Sequence, residues 1–476
     1  MSATSTHAGS YRPPVTPFAG WVHDDRGRLV PLETAPHIGA FAPPGTGKTR
    51  RWLAQSSVLW PGPALVSSSK DDLMQMVASR RYGPAALLDL RPVAAPYYPS
   101  DLRAYRFDPT AWITGLEDAK AVARTLLSTS AVALSGSSFR GSDPGPWDDL
   151  AFAPLTCLLY AASPQALGLG IDWVLEAAED VTLPSAWPSS TQMSTDPSWV
   201  TAAVWTANRY FEARVKSVLS MDAKQRDSVK ITVTKVLTAW LQTMERDRGL
   251  PILDATFLED PEATIYLLTP FDGTVAAQAI TLMDQLINRQ RVKVAQWEEF
   301  SRLGMFLDEI TNTPLPRLPQ YIAESRGLGV SLCFAAQAGE QLDAIYGPLQ
   351  GAAIRAVVPA TLHMYGSHEK DLLESASFWS GKTTRSQLSY DHSLDSSSTS
   401  RNFGNALEPE ELMPPNEDSA RLLVRGTPGR MVTLIDWTAF VKYLDELRAA
   451  AARVGSHERC RNLSRDVMPM PFMACE

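Results

Sequence analysis

Cysteine is scarce in this chain: Cys157, Cys333, Cys460 and Cys475 are the only four in 476 residues, and none has the paired spacing that binds zinc or an iron–sulfur cluster. A disulfide scaffold is excluded with them, and a reducing compartment fits this usage. Also missing is any excess of positive charge. Lys and Arg total 44 against 52 Asp and Glu, a net charge of -8, so no global basic field advertises nucleic-acid binding and any such contact needs a local lining. Met1 to Gly20 holds no basic segment followed by an apolar run, which argues against a secretory signal. The longest apolar stretch, Ala151 to Ile171, is broken by Pro154, Ser163, Pro164 and Gln165 and reads as a buried helix and a turn rather than a membrane span. No internal repeat is present.

What remains is an ordinary globular composition. At 45% hydrophobic and 20% charged residues, wholesale disorder and coiled-coil or collagen-like classes are excluded. At about 150 residues per domain, the length allows roughly three domain-sized units, or one large domain with an insertion. Short apolar runs bounded by Gly and Pro fall in two blocks. The first holds His37 to Ala42, Ala64 to Ser68 and Ala85 to Leu90. The second holds Thr264 to Thr269, Gly304 to Asp308, Gly329 to Ala336, Leu362 to Tyr365, Arg421 to Arg425 and Met431 to Ile435. Helical stretches separate most of them, which predicts a mostly parallel, doubly wound α/β sheet. From about Ala111 to Leu250 strand signals nearly vanish, and Asp118 to Ser128, Trp147 to Ala162, Val200 to Leu219 and Asp227 to Met244 carry helical spacing.

The expected organisation is a split domain. Residues 1–35 form an N-terminal segment with a small hairpin (Trp21 to Leu32). Residues 36–112 and 251–454 form the two parts of the sheet domain, 113–250 an inserted all-α domain, and 455–476 a loose tail. Lys382 to Gly404, rich in Ser and Thr, reads either as a mobile surface loop or as a loop pointing into a central channel.

The strongest chemical signal is Ala42-Pro43-Pro44-Gly45-Thr46-Gly47-Lys48-Thr49, placed after an apolar strand and before a helix-capable segment. It fits the P-loop pattern with Ala for the first Gly. Pro44 opens the loop without an N–H of its own, and the small residues that follow let the N–H groups of Gly45, Thr46, Gly47, Lys48 and Thr49 converge on phosphate oxygens. Lys48 neutralises the β- and γ-phosphates of ATP, and the Thr49 hydroxyl ligates Mg²⁺. A second formal match, Ala376 to Thr383, is rejected: Phe378 and Trp379 fill positions where backbone must approach phosphate, and Asp371 to Ser375 reads as helix. The partner of the true P-loop is Gly304-Met305-Phe306-Leu307-Asp308-Glu309, an apolar strand ending in two carboxylates. Asp308 would hold Mg²⁺ through water and Glu309 would act as general base. Gln337, at the end of the next strand, is either a γ-phosphate sensor or a plain strand-end amide. Arg326 is either a finger inserted into a neighbouring subunit's site or a surface residue paired with Glu324.

These residues resemble a known family. Pro-Pro-Gly-Thr-Gly-Lys-Thr, Ala64 to Leu73, Arg80 to Gly83, Phe107-Asp108-Pro109, Arg226 to Val229, and the stretch from Leu307 through Arg326-Gly327-Leu328-Gly329 to Gln337, Gln341, Tyr346 and Gly347 resemble the TraG/TraD-like coupling proteins of type IV secretion and conjugation, over roughly residues 20 to 440. The resemblance implies a RecA-like P-loop NTPase domain interrupted by an all-α domain. It further implies a hexameric ring that hydrolyses ATP and passes DNA, with or without a relaxase or other protein cargo, to a secretion channel. Carried over, it puts the phosphate-binding Lys at Lys48, the carboxylates at Asp308 and Glu309, the trans-acting arginine at Arg326 and the sensor at Gln337.

Two departures stand out. Many members carry Asp-Pro-Lys where this chain has Ser68-Ser69-Lys70, and many begin with transmembrane helices, none of which is visible here. The expectation is a cytoplasmic protein peripheral to the inner face of the bacterial membrane, anchored by a partner or working as a soluble branch. A site completed by a neighbour's arginine also favours a closed ring on its own physical grounds. DNA in its channel would be held sequence-nonspecifically by cations such as Lys382, Arg385 and Arg401. Two alternatives share parts of this reading: a nucleotide-binding platform that recruits cargo without pumping, and a soluble FtsK/HerA-like DNA-packaging motor.

Overall fold

Short apolar runs buried on both sides build the centre of the molecule. The structure, a computed structural model, describes residues 16–92, 98–99, 102–133, 145–188, 194–271, 273, 275–296, 298, 300–391 and 396–453. Its strands are β1 (Phe18–His23), β2 (Leu29–Glu33), β3 (Ile38–Phe41), β4 (Ala64–Ser68), β5 (Ala85–Asp89), β6 (Arg103–Ala104) and β7 (Thr264–Leu268). They continue with β8 (Leu303–Leu307), β9 (Val330–Ala336), β10 (Ala360–Met364), β11 (Lys382–Asp391), β12 (Ser396–Asn405), β13 (Ser419–Val424) and β14 (Arg430–Thr433). Twelve of them form one sheet in the order β2-β1-β14-β13-β10-β3-β9-β8-β4-β7-β5-β6. From β10 to β6 all neighbours are parallel; β13, β14, β1 and β2 extend it antiparallel.

The period of two assigns each strand residue to a face. In β9, Val330, Leu332, Phe334 and Ala336 join one hydrophobic cluster and Cys333 and Ala335 the other. The first cluster is continued by the helix Ala276–Ala295 and by the helices that lie between β6 and β7. The second is closed by the helices Ala54–Leu59 and Asp71–Ala78 and by Phe440 and Leu444 of the helix Trp437–Arg453. Among the described residues from 107 to 251 there is no strand: the segment holds the helices Leu116–Ala133, Pro146–Ala162, Gly170–Ala177, Trp199–Trp205, Arg209–Leu219 and Ala223–Asp247. Arg106 and Ile252 pair across its two ends, with Arg106 N–H donating to Pro251 O (2.9 Å) and Leu253 N–H to Arg106 O (2.9 Å). The chain therefore leaves and re-enters the sheet at adjacent points. This is the expected α/β fold, a mostly parallel sheet interrupted by an all-α insertion.

Three expectations are corrected. The N-terminal hairpin is present, with β1 antiparallel to β2, but it is not separate from the sheet: β1 also pairs with β14 through Trp21 and Thr433, so β1 and β2 are the outermost strands of the main sheet. Lys382 to Gly404 is not an irregular loop but most of an antiparallel ribbon, β11 with β12, in continuous register from Lys382 opposite Asn405 to Asp391 opposite Ser396. Thr383, Thr384, Leu388 and Tyr390 supply the β preference that the serine content obscured. Val200 to Leu219 is two helices, because Ala207 adopts φ 51° and the Asn208 side chain caps the next helix at the N–H groups of Tyr210 and Phe211.

One buried polar junction ties the insertion to the sheet domain. Asp284, 3% exposed on the helix Ala276–Ala295, accepts from Thr125 Oγ1 of the inserted helices (2.8 Å), from Asn288 Nδ2 (3.0 Å), from Arg317 Nη2 (3.2 Å) and from the Tyr321 hydroxyl.

Candidate nucleotide site

Beyond β3 the chain passes Ala42, whose N–H donates to Ala336 O of β9 (3.2 Å), and winds from Lys48 into a π-helical turn, Lys48–Leu53, continued by the helix Ala54–Leu59. The loop between carries Gly45 at φ 82° and Gly47 at φ 87°. Left-handed residues of this kind turn successive N–H groups inward and make an anion cradle at a helix start. At Gly47 an added Cβ would lie 2.5 Å from Arg51 Cδ, a side chain fixed by Asp418 and by Leu434 O (3.3 Å). Gly47→Ala therefore combines backbone strain of about 1–2 kcal/mol with displacement of Arg51. The expected result is roughly a tenfold or greater loss of ADP affinity by calorimetry together with a melting temperature lowered by a few degrees; unchanged affinity would mean that the loop does not set the cradle.

Lys48 is 9% exposed, and its ammonium donates to the carbonyl oxygens of Ala42 and Pro43, the latter at 3.0 Å. Burial pulls its pKa below the usual lysine range, Lys70 pulls in the same direction, and the charges of Glu309 and Asp308 oppose the shift. Thr49 Oγ1 lies 3.2 Å from each oxygen of Asp308. Residues 259 positions apart thus meet at one point. Burial raises the Asp308 pKa, with Asp72 and Glu309 adding to the rise and donation from Thr49 and Ser68 resisting it. Glu309 follows at φ 66°, one of two described non-glycine residues with positive φ, and its Oε1 accepts from Thr311 Oγ1 (2.6 Å). An outlier backbone at a carboxylate beside a phosphate cradle is the kind of strain that functional sites hold.

The donor set fits the group that the motif implies. The Thr49 hydroxyl and the Asp308 carboxylate are hard oxygen ligands of the type Mg²⁺ takes alongside water and phosphate oxygens, and the glycine cradle suits a phosphate chain.

The remaining sequence-derived candidates are spread out. Gln337 stands exposed at the tip of β9, the strand between β3 and β8, so it lies between the P-loop strand and the carboxylate strand; its N–H donates to Gln341 Oε1 (3.0 Å). Arg326 belongs to the short turn Ser325–Leu328 at the other end of β9, roughly 20 Å away at strand spacing. It does not approach the site of its own chain, and its side chain lies outside the described residues. Glu324, the surface partner considered for it, pairs with Arg291 (2.9 Å). Lys382 is exposed at the start of the ribbon. Arg385 is engaged by Glu408 (3.3 Å) and Glu411, and the Arg401 side chain lies outside the described residues. The rejected second motif begins inside the helix Lys370–Trp379, with Phe378 76% exposed and no strand before it.

Sequence reasoning missed Ser68 and Thr311, which hold Asp308 and Glu309. Thr311, two residues after its partner, was within reach of local inspection; Ser68 was visible only as a departure from a family pattern.

The fold is a RecA-like P-loop fold with an all-α insertion. Residues 302–419 match the family described as the TraM recognition site of TraD and TraG. The fold is that of the bacterial conjugative coupling protein TrwBdeltaN70 in its unbound form, at 16% identity and TM-score 0.55 over 88% of each chain. TrwB in complex with the ATP analogue ADPNP matches at 16% identity and TM-score 0.52, over 84% of this chain and 86% of that one. TrwB in complex with ADP and Mg²⁺ matches at 15% and 0.52, over 84% and 85%. No curated protein matches by sequence. The chain is thus similar to TraD and TraG by sequence in residues 302–419, and it shares the fold of TrwB over most of its length. No helix of the described residues is long and apolar enough to cross a membrane.

Proposed function

We propose that this protein is an ATP-hydrolysing coupling protein that recruits DNA, relaxase-bound DNA or another protein substrate and drives it toward a type IV secretion channel. The observation that carries the reading is the meeting of Thr49 with Asp308 beside buried Lys48, the composite site that hydrolysis of a magnesium-bound triphosphate requires. TrwB structures with ADPNP and with ADP and Mg²⁺ share the fold. Bound Mg²⁺–ATP supplies an electrophilic phosphorus and shields the phosphate charge. Lys48 and the loop amides would bind the β- and γ-phosphates, while Thr49 and Asp308 would hold the metal. Thr311 occupies Oε1 of Glu309, which leaves Oε2 to take the proton of an attacking water. Gln337 orders that water from the strand between. Arg326, at the far end of β9, would complete the site of a neighbouring copy, so a cyclic oligomer, hexameric in the resembling family, is the active form.

DNA contact is assigned to the ribbon that bears Lys382, Arg385 and Arg401. Arg385 is neutralised by two carboxylates, and Lys382 is the exposed cation among the ribbon's described side chains. The matched segment 302–419 would recognise a TraM-like partner, and its Phe378 and Phe403, 76% and 73% exposed, offer apolar docking surface. Membrane association would be peripheral and partner-mediated.

The test is steady-state ATP turnover against protein concentration, with and without DNA of unrelated sequences. The expected result is turnover per chain that rises with concentration, increases with any DNA, and loses that increase at high salt. Turnover indifferent to DNA at every concentration would sink the translocase reading. DNA transfer in cells that survives loss of ATP turnover would favour the recruitment platform.

A further inference from the structure

Asp308 is crowded by its own sign. Asp72 and Glu309 both act on it electrostatically, and it is largely withdrawn from water, so hydrogen-bond donors decide which way its carboxylate faces. Two are present. Thr49 Oγ1 donates from the P-loop side, and Ser68 Oγ donates to Oδ2 at 3.2 Å from the tip of β4. Ser68 is itself fixed: it is 3% exposed, and its Oγ accepts from Lys70 N–H at 3.1 Å. The backbone repeats the connection, since Asp308 N–H donates to Ser67 O (2.9 Å). Strand β4 therefore holds Asp308 by main chain and side chain together, on the side opposite Thr49 in the sheet order β3-β9-β8-β4.

The residue type matters here. An aspartate at position 68, as in the pattern this chain departs from, cannot donate when ionised and would bring a third negative charge to Asp308. A serine donates and adds none.

We infer that Ser68 is the positioning residue of the metal site: its hydroxyl locks the Asp308 carboxylate in the orientation that, with Thr49, receives Mg²⁺. The inference rests on the proposed nucleotide site. Loss of a hydrogen-bond partner to a metal-holding carboxylate lowers metal affinity by about 10–100-fold. Ser68→Ala removes the donor without changing the size of the site, and Ser68→Thr keeps it.

The experiment is calorimetric binding of ADP to the full chain, with Mg²⁺ titrated from zero, for wild type and both variants. The expected outcome is that Ser68→Ala needs about tenfold more Mg²⁺ for half-maximal enhancement of ADP binding. Affinity for metal-free ADP stays at the wild-type value, which also reports an intact fold, and Ser68→Thr restores the Mg²⁺ response. A Ser68→Ala protein with the wild-type Mg²⁺ midpoint overturns the role of Ser68 and leaves the site reading standing. A wild type that binds ADP with no response to Mg²⁺ overturns both.

Discussion

Glu309→Gln is expected to lower ATP turnover by about 10²–10⁴-fold while nucleotide binding is retained. The substitution keeps size and shape, and Thr311 Oγ1, which donates to Oε1 at 2.6 Å, can still donate to the amide oxygen. What disappears is the second carboxylate oxygen as a proton acceptor: an amide NH₂ in its place donates. Lys48, Thr49 and Asp308 are untouched, so ADP affinity should stay within about threefold of wild type. Lys48→Ala should behave differently. Its ammonium is buried among loop carbonyls and faces the charges of Glu309 and Asp308, so its loss removes the phosphate's counter-charge and lowers binding and turnover together. Phosphate release and ADP calorimetry on the two variants separate these effects. A Glu309→Gln protein that keeps turnover within a few-fold of wild type would place the general base elsewhere.

How much of this was legible in the sequence depends on the range of the interaction. The P-loop, the Asp308–Glu309 strand end and the apolar runs of β3 to β5 and β7 to β9 announce themselves locally, because composition and turn residues within a few positions decide them. The pairing of β1 with β14 joins Trp21 to Thr433 and leaves no local trace, so the hairpin read as free-standing. The β11–β12 ribbon was obscured for another reason: serine weakens strand propensity in a window, but a continuous antiparallel ladder supplies the hydrogen bonds that the window lacks. Arg385 read as an available cation until the chain brought Glu408 and Glu411 against it. Ser68 is the converse case. Its hydroxyl is unremarkable in sequence and gains meaning only because β4 lies beside β8 and its tip reaches Asp308.

Asp284→Ala should destabilise the protein by about 3–5 kcal/mol, because it strands several buried donors at once. Thr125 and Tyr321 are 3% and 1% exposed, and both lose their acceptor; Arg317 loses its carboxylate, though its own side chain is 42% exposed and partly recovers by hydration. Burial, the largest of the causes that hold the Tyr321 hydroxyl neutral well above the usual tyrosine range, persists after the Asp284 charge is gone, so the phenol keeps its proton and stays a donor without an acceptor. Asp284→Asn keeps two acceptor lone pairs and should cost about half as much. The elements involved make the effect more than local: Thr125 belongs to the inserted helices, Asp284 to the helix that covers the sheet, and Arg317 and Tyr321 to the segment that follows Glu309. Removing the carboxylate should therefore loosen the insertion and the carboxylate strand's downstream segment together. Hydrogen exchange should accordingly rise in residues 116–129 and 313–324 at the same time. Urea denaturation followed by tryptophan fluorescence measures the loss, and an Asp284→Ala midpoint equal to wild type would mean that water replaces the carboxylate at no net cost.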